Sequence, residues 1–229
     1  MTSRQYRQNT TTRTLLHSSI PALLLSCFLT VSTPTRAAGM AGMHMPRTVN
    51  AFEVDELETR GSSDHSVKAG GWIGIELTRV TLSGEIHHNE GDTNDEITLG
   101  VQRAISPFWD GGLVLRSTDA KNLPGFRLIG TSWYFIHLDT EFFWDNEADS
   151  LLLDLHAEHE LPLSRQWMFL SSFELETRLS GDSHRNTEWG FRFVREHPNR
   201  FGFYGGVVAR KETSEPTTTQ LVVGFRYWM

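Results

Sequence analysis

The sequence has 229 residues and a formal net charge of −7 at pH 7, with 38% hydrophobic and 11% aromatic residues. It suits one domain of ordinary size, and it contains no apolar stretch long enough for a transmembrane helix. The excess of acidic residues argues against a nucleic-acid partner and favours a surface or interior that attracts cations. A transmembrane β-barrel is compatible with this composition, because each barrel strand is apolar on only one face.

Residues 1–37 have the layout of a secretory signal peptide. Three arginines precede an apolar run over residues 20–31, and Thr35-Arg36-Ala37 resembles a signal-peptide cleavage site. The apolar run is too short to cross a membrane as a helix. Cleavage would remove four arginines and no acidic residue, which leaves a formal charge of −11. The sole cysteine, Cys27, lies in this leader, so we expect a mature protein without a disulfide or a thiolate metal site.

Residues 38–50 form a short Gly- and Met-rich segment, which we interpret as a flexible tail before the folded domain. It contains four candidate copper ligands, Met40, Met43, His44 and Met45. Thioether sulfur is a soft ligand that selects Cu(I), and imidazole suits copper in either oxidation state. The alternative is a chance cluster in a linker beside the cleavage site.

Residues 51–229 are predicted to form the folded domain, and Ser150–Glu160 shows its pattern most clearly. Leucines alternate with Asp154, His156 and Glu158, and in a β-strand this alternation separates an apolar face from a charged face. A helix would scatter both kinds of residue around its whole circumference. The two contrasting faces suit a barrel strand with lipid outside and a polar lumen inside.

The same period of two residues recurs along the domain and predicts about twelve strands in an all-β, antiparallel, up-and-down transmembrane β-barrel. Two expected strands, 126–134 and 135–144, follow each other directly. Short turns such as LPLSRQ are expected to alternate with the longer polar loops HNEGDTND, DAKNLPG, SGDSHRN and KETSEPT. Tryptophans near the expected strand ends are typical of the aromatic girdles of membrane barrels: Trp72, Trp109, Trp133, Trp144, Trp167 and Trp228.

A soluble β-sandwich would show the same alternation, with its charged face in water. The leader and the last segment of the sequence favour the membrane barrel instead. In Gln220–Met229, Gly224 precedes Tyr227, as in the terminal recognition strand of bacterial outer-membrane barrels, although that signal usually ends in Phe or Trp rather than Met. We therefore expect the protein in the outer membrane of a Gram-negative bacterium, in contact with the membrane lipids.

Two neighbouring strands are expected to bring polar side chains close together in the lumen. The candidate metal ligands among them are His137, Asp139, Glu141, Asp154, His156 and Glu158. One interpretation is a cation path or a transient copper site. The other is a set of ordinary salt bridges with Arg103, Arg178 and Arg192, which would neutralise charge inside the barrel.

Four segments together resemble the copper resistance protein B family of outer-membrane proteins. They are FEVDELETR (52–60), GWIG (71–74), RAISPFWD (103–110) and VGFRYW (223–228). The resemblance implies an outer-membrane β-barrel that serves copper tolerance by binding copper or by moving it out of the periplasm. Members of that family usually carry a Met- and His-rich region before the barrel, and Met40–Met45 corresponds to that region here.

Two other functions are compatible with the pattern. A passive outer-membrane pore or structural barrel would need no metal ligands. An enzyme could use Ser172, His156 and Glu174, but the sequence contains no nucleophile motif, so we expect no enzymatic activity. Because a barrel has no access to ATP, we expect any copper export to be driven by a gradient or by handover from a periplasmic copper-binding or copper-oxidising protein.

Overall fold

The structure, a computed structural model, describes residues 48–61, 64–89, 92–118, 121–180, 185–213 and 216–229. In these residues the chain forms twelve β-strands that close into one barrel. Each strand pairs antiparallel with its neighbours in sequence, and β1 closes the barrel against β12. This confirms the predicted up-and-down barrel.

The strands are β1 (Thr48–Arg60), β2 (Asp64–Ile75), β3 (Thr78–Asn89), β4 (Asp92–Ser106), β5 (Trp109–Thr118), β6 (Asn122–Thr131), β7 (Ile136–Asp145), β8 (Ser150–Pro162), β9 (Trp167–Arg178), β10 (Arg185–His197), β11 (Phe201–Glu212) and β12 (Thr218–Trp228). The described residues contain no regular helix, and the one helix-like turn, Trp133–Phe135, has a non-helical backbone at Tyr134. No helix within those ranges has the length and apolar character needed to cross a membrane. The barrel begins at Thr48, three residues before the expected boundary.

The outer surface of the barrel is apolar. Outward side chains on β2, β4 and β10 are all 43–54% exposed: Ile73, Ile75, Leu99, Val101, Phe191 and Phe193. The interior instead buries polar and charged groups, among them Glu58, Gln102, Arg116, Glu141 and Arg192. This distribution is the reverse of that in a soluble protein, and it suits a closed sheet surrounded by lipid, in which no strand edge is left unpaired. It rules out the soluble sandwich.

Strand β8 follows the predicted pattern. Asp154, His156 and Glu158 line the lumen, so the alternating leucines of this strand point outward. The strand ends at Pro162, whose ring nitrogen has no hydrogen to donate to a further ladder bond.

The two ends of the barrel differ less in the length of their connections than we expected. The strand termini Thr48 and Trp228 lie at one end, which we call the turn end; the opposite end is the loop end. HNEGDTND was expected to be a long loop at the loop end, but β3 continues to Asn89 and β4 begins at Asp92. The other three polar segments are shortened in the same way. Polar residues can extend the ladder at the loop end because strands that project beyond the membrane need no apolar face.

The prediction that strands 126–134 and 135–144 follow each other directly was also wrong. The strands end at Thr131 and resume at Ile136, and the turn between them contains Trp133, Tyr134 and Phe135. Tyr134 and Phe135 have positive φ angles of 61° and 60°. A tight reversal between twisted strands requires such left-handed positions, which usually hold Gly or Asn rather than aromatic residues.

A β-bulge interrupts the acidic strand β1. Val54 is opposite Ala69 and Glu56 is opposite Lys68, so Asp55 is an extra residue without a partner on β2. The register with β12 shifts at the same place. As a result, Asp55 and Glu56 both line the lumen although they are consecutive in sequence.

The tryptophans form an incomplete girdle. Trp133, Trp144 and Trp167 are exposed near the strand ends, as predicted. Trp72 instead lines the lumen, with the Arg79 guanidinium 5.6 Å from its ring centre. Trp228 is opposite the lumen residue Glu53 and therefore also faces inward.

Candidate functional site in the barrel lumen

The six candidate ligands of β7 and β8 lie together on the lumen wall. The register pairs His137 with Glu158, Asp139 with His156, and Glu141 with Asp154. All six line one cavity of about 610 Å³. The predicted proximity of these side chains is confirmed, and it follows from the alternation of two adjacent antiparallel strands.

Three of these carboxylates are held by two arginines. Arg116 on β5 forms ion pairs with Glu141 at 2.6 Å and Asp154 at 2.8 Å, and with Glu96 at 2.9 Å. Arg127 on β6 pairs with Asp139 and with Glu141, the latter at 3.2 Å. We call Glu96, Arg116, Arg127, Asp139, Glu141 and Asp154 the Arg116 network.

The expected salt-bridge partners were different, and the prediction was wrong for all three arginines. Arg103 is exposed on the outer face of β4, because the inward position beside it is taken by the buried Gln102. Arg178 lies on the lumen side, opposite Leu152, but forms no ion pair within the described residues. Arg192 does lie in the lumen, and its Nε donates a hydrogen bond to Glu58 at 2.9 Å rather than to the β7 or β8 acids.

A second group of charges joins β1 to β10. Arg60 pairs with Glu56 at 3.0 Å, Glu58 at 2.6 Å and Glu188 at 2.9 Å. Arg192 shares Glu58, whose side chain is fully buried. We call these five residues the Arg60 network. The acidic composition of β1 was visible in the sequence, but nothing in the sequence connected it to Arg192.

A layer of titratable side chains divides the lumen. A second cavity of about 440 Å³ lies toward the loop end. Seven residues line both cavities and define the mid-lumen layer: Lys68, Glu85, Glu96, Arg116, Asp154, His156 and Glu174. The layer contains four carboxylates and two permanent cations, so it has an excess of negative charge when His156 is neutral.

The segment RAISPFWD lies at the turn-end mouth of the lumen. Its Asp110 forms an ion pair with Arg79. Arg79 Nε also donates a hydrogen bond to Gln102 at 3.2 Å, and the guanidinium lies over the Trp72 ring. Together these contacts hold the Arg79 side chain at the entrance to the larger cavity, so the entrance is not an open rim.

Among the described residues, the lumen shows no preformed metal site. Across the described ranges, no group of three or more His, Cys, Asp or Glu residues is arranged to hold a metal ion. Arginines occupy the carboxylates of Asp139, Glu141 and Asp154, which would otherwise be available as ligands. Met40, Met43, His44 and Met45 lie outside the described residues, so their role as copper ligands stays a prediction.

A protein-family model matches most of the chain. The family model described as copper resistance protein B precursor (CopB) matches residues 48–229, which include all twelve strands. The match confirms the resemblance expected from the four sequence segments. A comparison with curated proteins finds no significant match.

Solved structures share the fold. The NanC porin in a rhombohedral crystal form aligns over 78% of this chain and 99% of its own, with 8% identity and a TM-score of 0.51. A structure from a study of the in-meso crystallization of membrane proteins aligns over 79% of this chain and 83% of its own, with 12% identity and a TM-score of 0.50. The KdgM porin aligns over 77% of this chain and 98% of its own, with 12% identity and a TM-score of 0.48. The first two support the barrel fold and nothing beyond it.

Proposed function

Because the chain belongs to the copper resistance protein B precursor family, we propose that it supports copper tolerance by binding copper and assisting its removal from the periplasm. The observation that carries this proposal is the charge of the lumen wall. Eleven carboxylates and six arginine or lysine side chains line the larger cavity. An acidic channel with low-dielectric walls concentrates cations and excludes anions. Copper ions are therefore compatible cargo.

We place the tight copper site in the tail and assign the lumen a weaker role. The Met/His segment precedes β1 in the sequence, and β1 begins at Thr48. Its thioethers are the soft ligands that Cu(I) prefers. In the lumen, arginines already engage Asp139, Glu141 and Asp154. A cation would meet fixed negative charge there without a complete set of free ligands.

His137, His156 and Glu158 are the lumen residues best suited to transient copper contacts. Within the described part of the chain, none of the three forms an ion pair with an arginine. Imidazole binds copper in either oxidation state. These residues would accept a copper ion for a short time, in agreement with passage rather than storage.

The protein would act in the outer membrane, and the signal peptide in residues 1–37 would direct its secretion. The outward apolar side chains would contact lipid. A periplasmic copper-binding or copper-oxidising protein would deliver the ion at the turn end. We assign no enzymatic reaction to the barrel.

Binding of Cu(I) and Cu(II) to the refolded protein that begins at Ala38 tests this function. Two variants are compared with it. One changes Met40, Met43, His44 and Met45 to Ala, and the other changes His137 and His156 to Ala. We expect tight Cu(I) binding that is lost in the first variant and retained in the second. Retention in the first and loss in the second would move the site into the lumen. No binding to the unmodified protein would leave a passive pore or structural barrel.

A further inference from the structure

We propose that Lys68 is the gate of the lumen: its ammonium group closes the mid-lumen layer by bridging Glu85 and Glu174, and an entering cation displaces it. Such a gate would act on any small cation. Its test can therefore be made in the absence of copper, and it changes Lys68 and Glu174, which are not among the copper ligands proposed above.

Lys68 lies where the two cavities meet. It is opposite Glu85 in the register of β2 and β3, and its Nζ is 3.7 Å from Glu85 Oε2. On the other side, Nζ is 3.9 Å from Glu174 Oε1 on β9. Strands β2 and β9 are five positions apart around the barrel, so this second contact crosses the lumen. Lys68 thus connects opposite walls at the boundary between the cavities.

Lys68 is held more loosely than the arginines around it. Arg60, Arg116 and Arg192 make ion pairs of 2.6–3.0 Å, and their side chains are 5–10% exposed. The Lys68 contacts are longer than a hydrogen bond, and its side chain is 32% exposed. A flexible lysine stem can swing aside, whereas a guanidinium that bonds several carboxylates cannot. The arginine networks narrow the lumen permanently, and Lys68 provides its movable part.

Each of the two carboxylates that Lys68 bridges also lies close to a histidine. His87 Nε2 is 2.7 Å from Glu85 Oε1. His156, opposite Glu174 in the register of β8 and β9, places its Nε2 3.7 Å from Glu174 Oε1. The hydrogen bond to His87 holds Glu85 in place when Lys68 leaves, and Glu174 keeps a looser contact with His156. An incoming cation would therefore find two carboxylates in place, and one positive charge would replace another.

Ion conductance of the refolded protein in planar bilayers tests the gate, with KCl as the sole salt. We expect the unmodified protein to conduct K⁺ at a low rate, because each K⁺ ion must first displace the Lys68 ammonium group. Lys68→Met removes the tethered cation and should raise the conductance by about threefold or more, with a reversal potential in a KCl gradient shifted toward cation selectivity. Lys68→Arg keeps the charge and should stay closed. Lys121→Met is the matched control, because Lys121 pairs with Asp145 at 2.6 Å outside the mid-lumen layer, and it should leave conductance unchanged.

A second substitution keeps the test decisive if Lys68→Met does not fold. Glu174→Gln removes the contact across the lumen but retains the Lys68–Glu85 pair, and it should give an intermediate conductance. Folding of each variant is checked by its heat-dependent migration in detergent gels. The proposal is overturned if a folded Lys68→Met barrel, or a folded Glu174→Gln barrel in its place, conducts no better than the unmodified protein. It is equally overturned if Lys121→Met opens the barrel to the same extent.

Discussion

The ring of Tyr204 fills the space in which a side chain at Gly224 would stand. The two residues are opposite each other on β11 and β12, and a Cβ atom at position 224 would overlap Tyr204 Cζ and Oη. The glycine noted in the terminal strand is therefore required by packing inside the barrel. The Arg192 guanidinium lies 5.7 Å from the same ring, so the Tyr204–Gly224 contact also supports the Arg60 network.

Gly224→Ala should destabilise the barrel. Because the Tyr204 ring is 5% exposed and would have to shift to admit a Cβ atom at position 224, we expect the overpacking to lower the free energy of unfolding by about 1–3 kcal/mol. Urea unfolding in lipid vesicles measures the change. Gly205→Ala on β11 is the control, since its Cβ would come no closer than 3.8 Å to the nearest atom, Val222 O. Equal stability of the two variants would contradict the packing argument.

Arg116→Met should lower the free energy of unfolding more than a surface substitution does. It removes the cation that Glu141 and Asp154 share, and the Glu141 side chain is only 11% exposed, so we expect a loss of about 3 kcal/mol in the free energy of unfolding. Arg210→Met serves for comparison, because Arg210 is 37% exposed and lies 3.8 Å from Glu212. That change should cost less than about 1 kcal/mol. A neutral effect of Arg116→Met would show that the network does not stabilise the fold.

Tryptophan quenching by brominated lipids should separate the outer wall from the lumen. A variant that retains Trp189 as its sole tryptophan should be quenched strongly, because Trp189 stands on the outer face of β10 against Phe173. A variant that retains only Trp72 should be protected, since its ring faces the lumen beside Arg79. Strong quenching of Trp72 would contradict the inward orientation of β2 at this position.

Tyr134→Gly should stabilise the turn between β6 and β7. Glycine adopts a φ of 61° without steric cost. Removal of the backbone strain of a non-glycine residue in this left-handed conformation should raise the free energy of unfolding by about 1 kcal/mol. Trp133→Gly is the matched control, because Trp133 is equally exposed in the same turn but is not among the positive-φ residues. Thermal unfolding in detergent compares them. An increase in stability with Trp133→Gly alone would exclude backbone strain as the cause.

The strands and the lumen positions of their side chains could be predicted because they depend on alternation along the chain. On β7 and β8, the alternation of polar and apolar residues shows which side chains face the lumen. The lumen positions of the six candidate ligands could therefore be predicted. The salt-bridge partners depend on the closure of the barrel. Arg116 reaches Asp154 across 38 residues of sequence, and Arg192 reaches Glu58 across 134. No local pattern contains that information, which is why the predicted salt bridges of Arg103, Arg178 and Arg192 with the β7 and β8 acids were wrong.

The bulge at Asp55 determines whether the acidic side chains of β1 face the lumen or the lipid. In an unbroken strand, Glu53 and Asp55 would face the lumen, while Glu56, Glu58 and Arg60 would all face lipid. The extra residue reverses the phase of the strand and brings all five inside. It follows that deletion of Asp55 should be tolerated, because the remaining residues regain a regular ladder with the same faces. In a strand with a regular ladder, loss of a single residue would turn half of the strand inside out.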